Sequence, residues 1–302
     1  MKGWKLNRSR RHMLFVPADK PAMYRDVVFY KPDTIMFDLE DAVSFSEKDS
    51  TRILLREILS DMDYNKYGME VCVRVNGIDT DWFEKDVEAC VQSNVNMIRL
   101  PKVEKVEDIE YAVKVLEKFE AQYKREDKML LFLAFESALG ILNSFEIAKA
   151  SERIVGVALG GFDYILDLKG EKTEQRTELL YARQHLVHVA RALKLDVFDV
   201  VYSNVNDKEG FVKEFKFVKS LGFNGKSVIH PNQIRFINEI YKPTPEQVEY
   251  ALEMVRAFNK SVQEGVGVFQ FRGTMVDKPV VEKQMEILEI AKQFELVKEG
   301  DY

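Results

Sequence analysis

Short apolar runs alternate with longer amphipathic stretches about eight times along this 302-residue chain, and that alternation most constrains its fold. The runs are 12–16, 34–41, 71–77, 97–102, 130–137, 153–161, 197–202 and 226–231. In the fifth, Leu130 to Phe135 are continuously apolar, bounded by charge before and by Gly140 after. A helix there would have to contain Gly140, so the pattern predicts a strand buried on both faces. Between the runs, residues such as Val106, Ile109, Ala112, Leu116 and Phe119 recur at helical spacing on a highly charged segment, giving a buried stripe and a solvated face. Pro21 suits the first turn of a helix after the first strand. Strands alternating with helices in units of this size predict an α/β fold, a TIM (β/α)8 barrel. The competing doubly wound sheet would carry a glycine-rich phosphate turn early in the chain. Gly160-Gly161 comes late and lacks the G-x-G-x-x-G spacing.

Beyond Pro243 the pattern changes, which divides the chain into a catalytic barrel over 1–243 and a C-terminal extension over 244–302. The extension reads as a long helix over 245–264, a β-hairpin over 266–277 and a last helix over 280–296. A helix-hairpin-helix of this kind is either a lid or oligomer contact, or a cap packed on its own barrel.

Composition narrows the function classes. Net charge is -6 and the basic residues are dispersed, which argues against nucleic-acid binding. Cys72 and Cys90 form no disulfide framework and no zinc pattern with the histidines; buried thiols in a reducing compartment are expected. His185 and His188 sit three apart on a predicted helix with no acidic or thiolate ligand nearby, and read as a packed or solvated pair. The basic N-terminal stretch leads into an apolar run that Pro17 interrupts, too short for a signal sequence. No run is long enough to cross a membrane, so a cytoplasmic location is expected.

Charged residues collect where the strands end: Glu40 and Asp41, Arg74, Lys102, Glu136, Asp163 and His230. In a closed parallel barrel these ends ring one mouth, where ligands bind. A strand-terminal Glu136 can simply reach solvent or a lysine. Paired with Asp163 from the next strand, it offers the two carboxylate ligands that Mg²⁺ uses, with positions left for substrate and water. Arg74 has the planar fork that suits a substrate carboxylate. Arg74 and Lys102 can equally pair with Asp38, Glu40 or Asp41. An Arg, a Lys and Mg²⁺ together suit a di- or tricarboxylate, or a reaction through an enolate.

The ordered set Arg11 to Pro17, Met36 to Val43, Arg74-Val75-Asn76, Arg99 to Lys102, Glu136 to Gly140, Leu159 to Tyr164, Gly225-Lys226-Ser227 and Gly273 to Asp277 resembles the citrate lyase beta-subunit family over about residues 8 to 290. That family is grouped with malyl-CoA and citramalyl-CoA lyases. The resemblance implies a TIM barrel holding Mg²⁺ through Glu136 and Asp163, with Arg74 and Glu136 contacting substrate. It implies cleavage of a citryl thioester on an acyl carrier protein to oxaloacetate and an acetyl thioester. The alpha subunit and the gamma subunit (the acyl carrier protein) are the implied partners, around a homo-oligomeric core. In related lyases an acidic residue matching Asp277 reaches over a neighbouring chain's site, which makes Asp277 the expected proton-exchanging group. Glu40, Asp41 and Lys102 are expected to orient Arg74 or metal-bound water. The chain departs from the family pattern at His12, Ala18, Ala138, Phe162 and Asn204, none of them an expected metal ligand. The alternatives are a CoA-thioester lyase, a class I aldolase using Lys102 as an imine, and a non-catalytic subunit that docks the carrier.

Overall fold

Strands β1 (His12–Pro17), β2 (Thr34–Asp38), β3 (Glu70–Arg74), β4 (Met97–Leu100), β5 (Leu130–Phe135), β6 (Ile154–Leu159), β7 (Asp196–Asp199) and β8 (Gly225–Val228) form one parallel sheet. They run in sequence order, and β8 returns to β1 through His12 opposite Lys226, closing an eight-stranded barrel. The computed structural model describes residues 9–263, 269–298 and 300–301. Its chain divides into two compact units, one ending at Arg235 and one beginning at Phe236.

In the first unit the helices are α1 (Pro21–Tyr30), α2 (Lys48–Asp61), α3 (Phe83–Val91), α4 (Val106–Gln122), α5 (Ala138–Lys149), α6 (Gly161–Asp167), α7 (Leu180–Leu193) and α8 (Lys208–Leu221). Local sequence explains their limits. Pro21 begins α1, and the side chains of Ser137 and Asp207 accept from the N–H groups of Gly140 and Gly210 to cap α5 and α8. Gly222 ends α8 at φ 111°, a conformation that favours glycine. The predicted stripe of α4 is buried through Ile109, Ala112, Leu116 and Phe119.

Inside the barrel, Met13, Met36, Cys72, Met97 and Leu130 form a floor, with Phe132 and Phe198 edge to face at 5.4 Å. The next inward positions up the strands carry Phe15, Arg74 and Arg99. Apolar packing therefore gives way to charge within two residues. Buried ion pairs fasten the strands from outside: Arg183 and Lys226 both bond Asp199, and Lys226 Nζ also bonds Glu214, each lysine contact at 2.6 Å.

Several predicted boundaries move. The second strand ends at Asp38 rather than Asp41, because the Asp38 carboxylate accepts from the N–H groups of Glu40 and Ala42 and turns the chain. The sixth, seventh and eighth strands also end earlier, at Leu159, Asp199 and Val228. Gly161 starts α6, which the sequence did not reveal: seven residues are too few for a periodic stripe, and Phe162 and Leu166 stay exposed.

The division between units falls in α9 (Pro231–Tyr241), another helix absent from the sequence prediction. The second unit contains α10 (Pro245–Gln263), the hairpin β9 (Phe269–Phe271) and β10 (Thr274–Val276), and α11 (Lys278–Gln293). Arg272 at φ 48° and Gly273 at φ 85° make its two-residue turn. Ala251, Met254, Val255, Val276, Val281 and Leu288 form its apolar cluster. Residues 264–268, where the helix end and hairpin start were predicted, lie outside the described residues. Among those described, no helix is long and apolar enough to cross a membrane.

Candidate active site at the strand ends

A cavity of about 470 Å³ opens at the carboxyl ends of the strands, bordered by Phe15, Asp38, Asp41, Arg74, Arg99, Glu136, Gly160, Asp163 and Ser227. Glu136 follows β5 directly and is 4 % exposed. Its Oε2 is buried and has no hydrogen-bond partner. Burial pushes its pKa up to about 7, Arg99 and Arg74 oppose the rise, and the charges of Glu40 and Asp163 add to it. Asp163 lies in the first turn of α6, half-buried at the same cavity. A buried carboxylate oxygen left open beside a second carboxylate is a site that a hard cation would complete. Among the described residues no three His, Cys, Asp or Glu side chains form a metal cluster, so other ligands would have to come from substrate and water.

The glycine pair has a steric reason. A Cβ at residue 160 would fall 2.5 Å from Cγ of Glu136, and one at residue 161 would fall 2.5 Å from Cγ1 of Val200. Both are sites of close approach rather than a phosphate turn.

Arg74 is already engaged. Its Nε and Nη2 donate to the two oxygens of Asp38 at 2.7 Å, and Nη1 lies 2.7 Å from Glu40 Oε2 and 3.2 Å from Asp41 Oδ2. Burial would lower its pKa, but the Asp38 hydrogen bonds and the charges of Asp38, Glu40 and Asp41 together outweigh it and the value rises. Lys102 Nζ donates to Glu40 Oε1 at 2.9 Å from a half-exposed side chain. Its partial burial is likewise outweighed by Glu40, which raises its pKa. Burial raises that of Glu40 itself. The anticipated pairing of both cations with Asp38, Glu40 and Asp41 is therefore present. The loop that carries these acids is held by Lys48, whose Nζ donates to the carbonyls of Leu39 and Glu40 at 2.6 Å.

Arg99 is a cavity residue that sequence reasoning missed as a site. It lies level with Arg74 across the β3–β4 pairing and is 4 % exposed. Its Nη1 donates to Ser227 Oγ at 3.3 Å, its Nε has no partner, and its guanidinium lies 5.6 Å from the Phe15 ring centre. Among the described residues no carboxylate oxygen comes within 4.0 Å of it. The available signal was a charge at the inward position of an otherwise apolar strand, Met97-Ile98-Arg99-Leu100.

The remaining predicted residues lie elsewhere. Asp277 belongs to the second unit, where its exposed carboxylate caps α11 by accepting from Val280 N–H. His230 does not border the cavity; its Nδ1 accepts from Asn232 N–H at 3.2 Å. His185 stacks on Tyr181 and His188 bonds the Gln184 carbonyl, as a packed and a solvated histidine. Cys72 and Cys90 are buried free thiols.

The HpcH/HpaI aldolase/citrate lyase family model matches residues 11–231. Citrate lyase subunit beta of Leuconostoc mesenteroides subsp. cremoris is 42 % identical over 98 % of both chains. The mitochondrial citramalyl-CoA lyase of Rattus norvegicus is 32 % identical over 93 % of this chain and 86 % of its own. A crystal structure of CitE from Mycobacterium tuberculosis with magnesium, acetoacetate and coenzyme A superposes with a TM-score of 0.76 at 26 % identity, covering 95 % of this chain and 100 % of that one.

Proposed function

The chain belongs to the HpcH/HpaI aldolase/citrate lyase family, and from that premise we propose that it is the Mg²⁺-dependent lyase subunit that cleaves a citryl thioester to oxaloacetate and an acetyl thioester. The observation that carries this reading is the pair Glu136 and Asp163 on one cavity, with an oxygen of Glu136 buried and unpartnered. The identity of 42 % to a citrate lyase subunit beta, against 32 % to a citramalyl-CoA lyase, favours the citryl substrate. The magnesium in the M. tuberculosis CitE structure supports the choice of ion.

Glu136 and Asp163 are the residues that would hold the ion. When bound, Mg²⁺ lowers the pKa of a coordinated hydroxyl and offsets charge developing on oxygen. The bond between the hydroxyl-bearing carbon and the thioester's α-carbon breaks as the hydroxyl loses its proton. The hydroxyl carbon becomes the ketone of oxaloacetate. The bond's electron pair passes to the α-carbon, giving an enolate that a proton converts to the acetyl thioester. Arg74, fixed by Asp38, turns Nη1 toward the acidic loop and offsets charge on the substrate carboxylate and the enolate oxygen. Glu40, Asp41 and Lys102 hold Arg74 in that orientation. Asp277 is the residue assigned to exchange a proton with the substrate hydroxyl or the enolate carbon, in a homo-oligomeric core. The thioester is carried on an acyl carrier protein (gamma) and made by an alpha subunit, in the cytoplasm.

The CoA-linked lyase is the second reading, supported by the citramalyl-CoA relative. Turnover of citryl-carrier, malyl-CoA and citramalyl-CoA thioesters by the purified chain separates the two. Oxaloacetate from the first at the highest kcat/KM is expected, and preference for either CoA ester would overturn the citryl assignment.

A further inference from the structure

A citryl thioester carries two free carboxylates, one beside the hydroxyl and one on a methylene arm. Malyl and citramalyl thioesters carry only the first. The carboxylate beside the hydroxyl lies next to the carbon being oxidised to a ketone, at the Glu136 and Asp163 end of the cavity under the function proposed above. The second needs a cation of its own. Among the described residues the cations bordering the cavity are Arg74 and Arg99. Asp38 takes both prongs of the Arg74 fork, and Lys102, paired with Glu40, does not border the cavity.

Arg99 is in the opposite condition. It is nearly fully buried, stacked near Phe15, in long contacts through Nη1 with Ser227 Oγ at 3.3 Å and Met36 Sδ at 4.0 Å, and open at Nε. A buried guanidinium with no carboxylate in direct contact is costly: the charge of Glu136 acts on Arg99, but among the described residues no carboxylate oxygen lies within 4.0 Å of it. We propose that Arg99 binds the second carboxylate of the substrate and so selects a thioester that yields a dicarboxylate oxo acid over one that yields a monocarboxylate oxo acid. Ser227 positions the guanidinium from the far side of the cavity, and Phe15 keeps its plane from turning.

This inference rests on the citryl reading, and two measurements keep their failures apart. The first is kcat/KM for citryl and citramalyl thioesters in wild type, Arg99→Met and Arg99→Lys. The second is binding of oxaloacetate and of pyruvate by calorimetry with Mg²⁺ present. Arg99→Met should lower citryl turnover at least about 100-fold more than citramalyl turnover and erase a preference for oxaloacetate over pyruvate. Arg99→Lys, which keeps the charge but loses the fork, should recover part of both. Equal losses on the two thioesters, or an oxaloacetate preference that survives Arg99→Met, would overturn the proposal. A wild type that ignores citryl thioester but prefers oxaloacetate through Arg99 would sink the citryl reading and leave this inference standing.

Discussion

Glu136 and Gly160 are sterically coupled: any side chain at residue 160 places its Cβ 2.5 Å from Cγ of Glu136 and 2.9 Å from its Oε1. The Gly160 N–H also donates to the Phe135 carbonyl at 2.9 Å, which ties the two strand ends together. Gly160→Ala should therefore push the Glu136 carboxylate aside without unfolding the barrel. Mg²⁺ or Mn²⁺ affinity, read by calorimetry, should fall roughly 10- to 100-fold, the usual cost of disturbing a ligand's support. Unchanged affinity would show that Glu136 does not hold the ion.

Glu136 also sets a pH dependence. Its pKa rises from 4.5 to about 7 on folding, so between these values the folded chain keeps a proton that the unfolded chain releases. Stability from this group is full below about pH 4.5 and is lost as pH rises through 7. At about 1.4 kcal/mol per pKa unit the loss is roughly 3 kcal/mol. In EDTA, the melting temperature of wild type should fall between pH 5 and pH 8 more steeply than that of Glu136→Gln. Added Mg²⁺ should stabilise wild type at pH 8 and do little at pH 5, where the proton competes for the carboxylate. Equal slopes in the two proteins would contradict this.

Arg74 and Asp38 should behave as one unit. Lysine cannot reproduce a two-pronged contact, so Arg74→Lys is not conservative. Arg74→Lys and Asp38→Asn should each lower kcat/KM about 100-fold, and the double variant should lose far less than the product of the two, as expected for direct partners. Multiplicative losses would mean that Asp38 acts elsewhere.

Lys102 pairs with Glu40 and has a raised pKa, the reverse of what an imine-forming lysine needs. Lys102→Met should cost less than about tenfold in turnover, and borohydride with substrate should not trap the wild-type chain. Covalent trapping would revive the aldolase alternative.

The barrel's outer ion network tests stability separately from chemistry. Asp199 is completely buried between Arg183 and Lys226, so removing its charge leaves two buried cations to share Glu214 alone. Asp199→Asn should cost about 3–5 kcal/mol in urea unfolding. A cost below 1 kcal/mol would show that water or relaxation compensates.

The strands and their order were legible because a parallel barrel buries both faces of each strand, and Leu130 to Phe135 or Met97 to Leu100 then stand out as apolar runs. Their ends were less legible. The Asp38 turn depends on side-chain hydrogen bonds that no hydrophobic pattern encodes, and α6 is too short to be periodic. Glu136, Asp163 and Arg74 stood out as charges at strand ends. Arg99 sits one layer deeper, inside a run that reads as apolar, and its importance lies in what it lacks, a carboxylate partner. Such an absence becomes visible only when the neighbours are known. The reason for Gly160-Gly161 was equally hidden, since it depends on Glu136 and Val200 from other strands and loops.

The most direct test of the account is oxaloacetate release from a citryl thioester by wild type and Asp163→Ala, with Mg²⁺ and with EDTA. Release that requires Mg²⁺ and is lost in Asp163→Ala is the predicted result. Release that survives EDTA, or that Asp163→Ala retains, would contradict the two-carboxylate metal site on which the account stands.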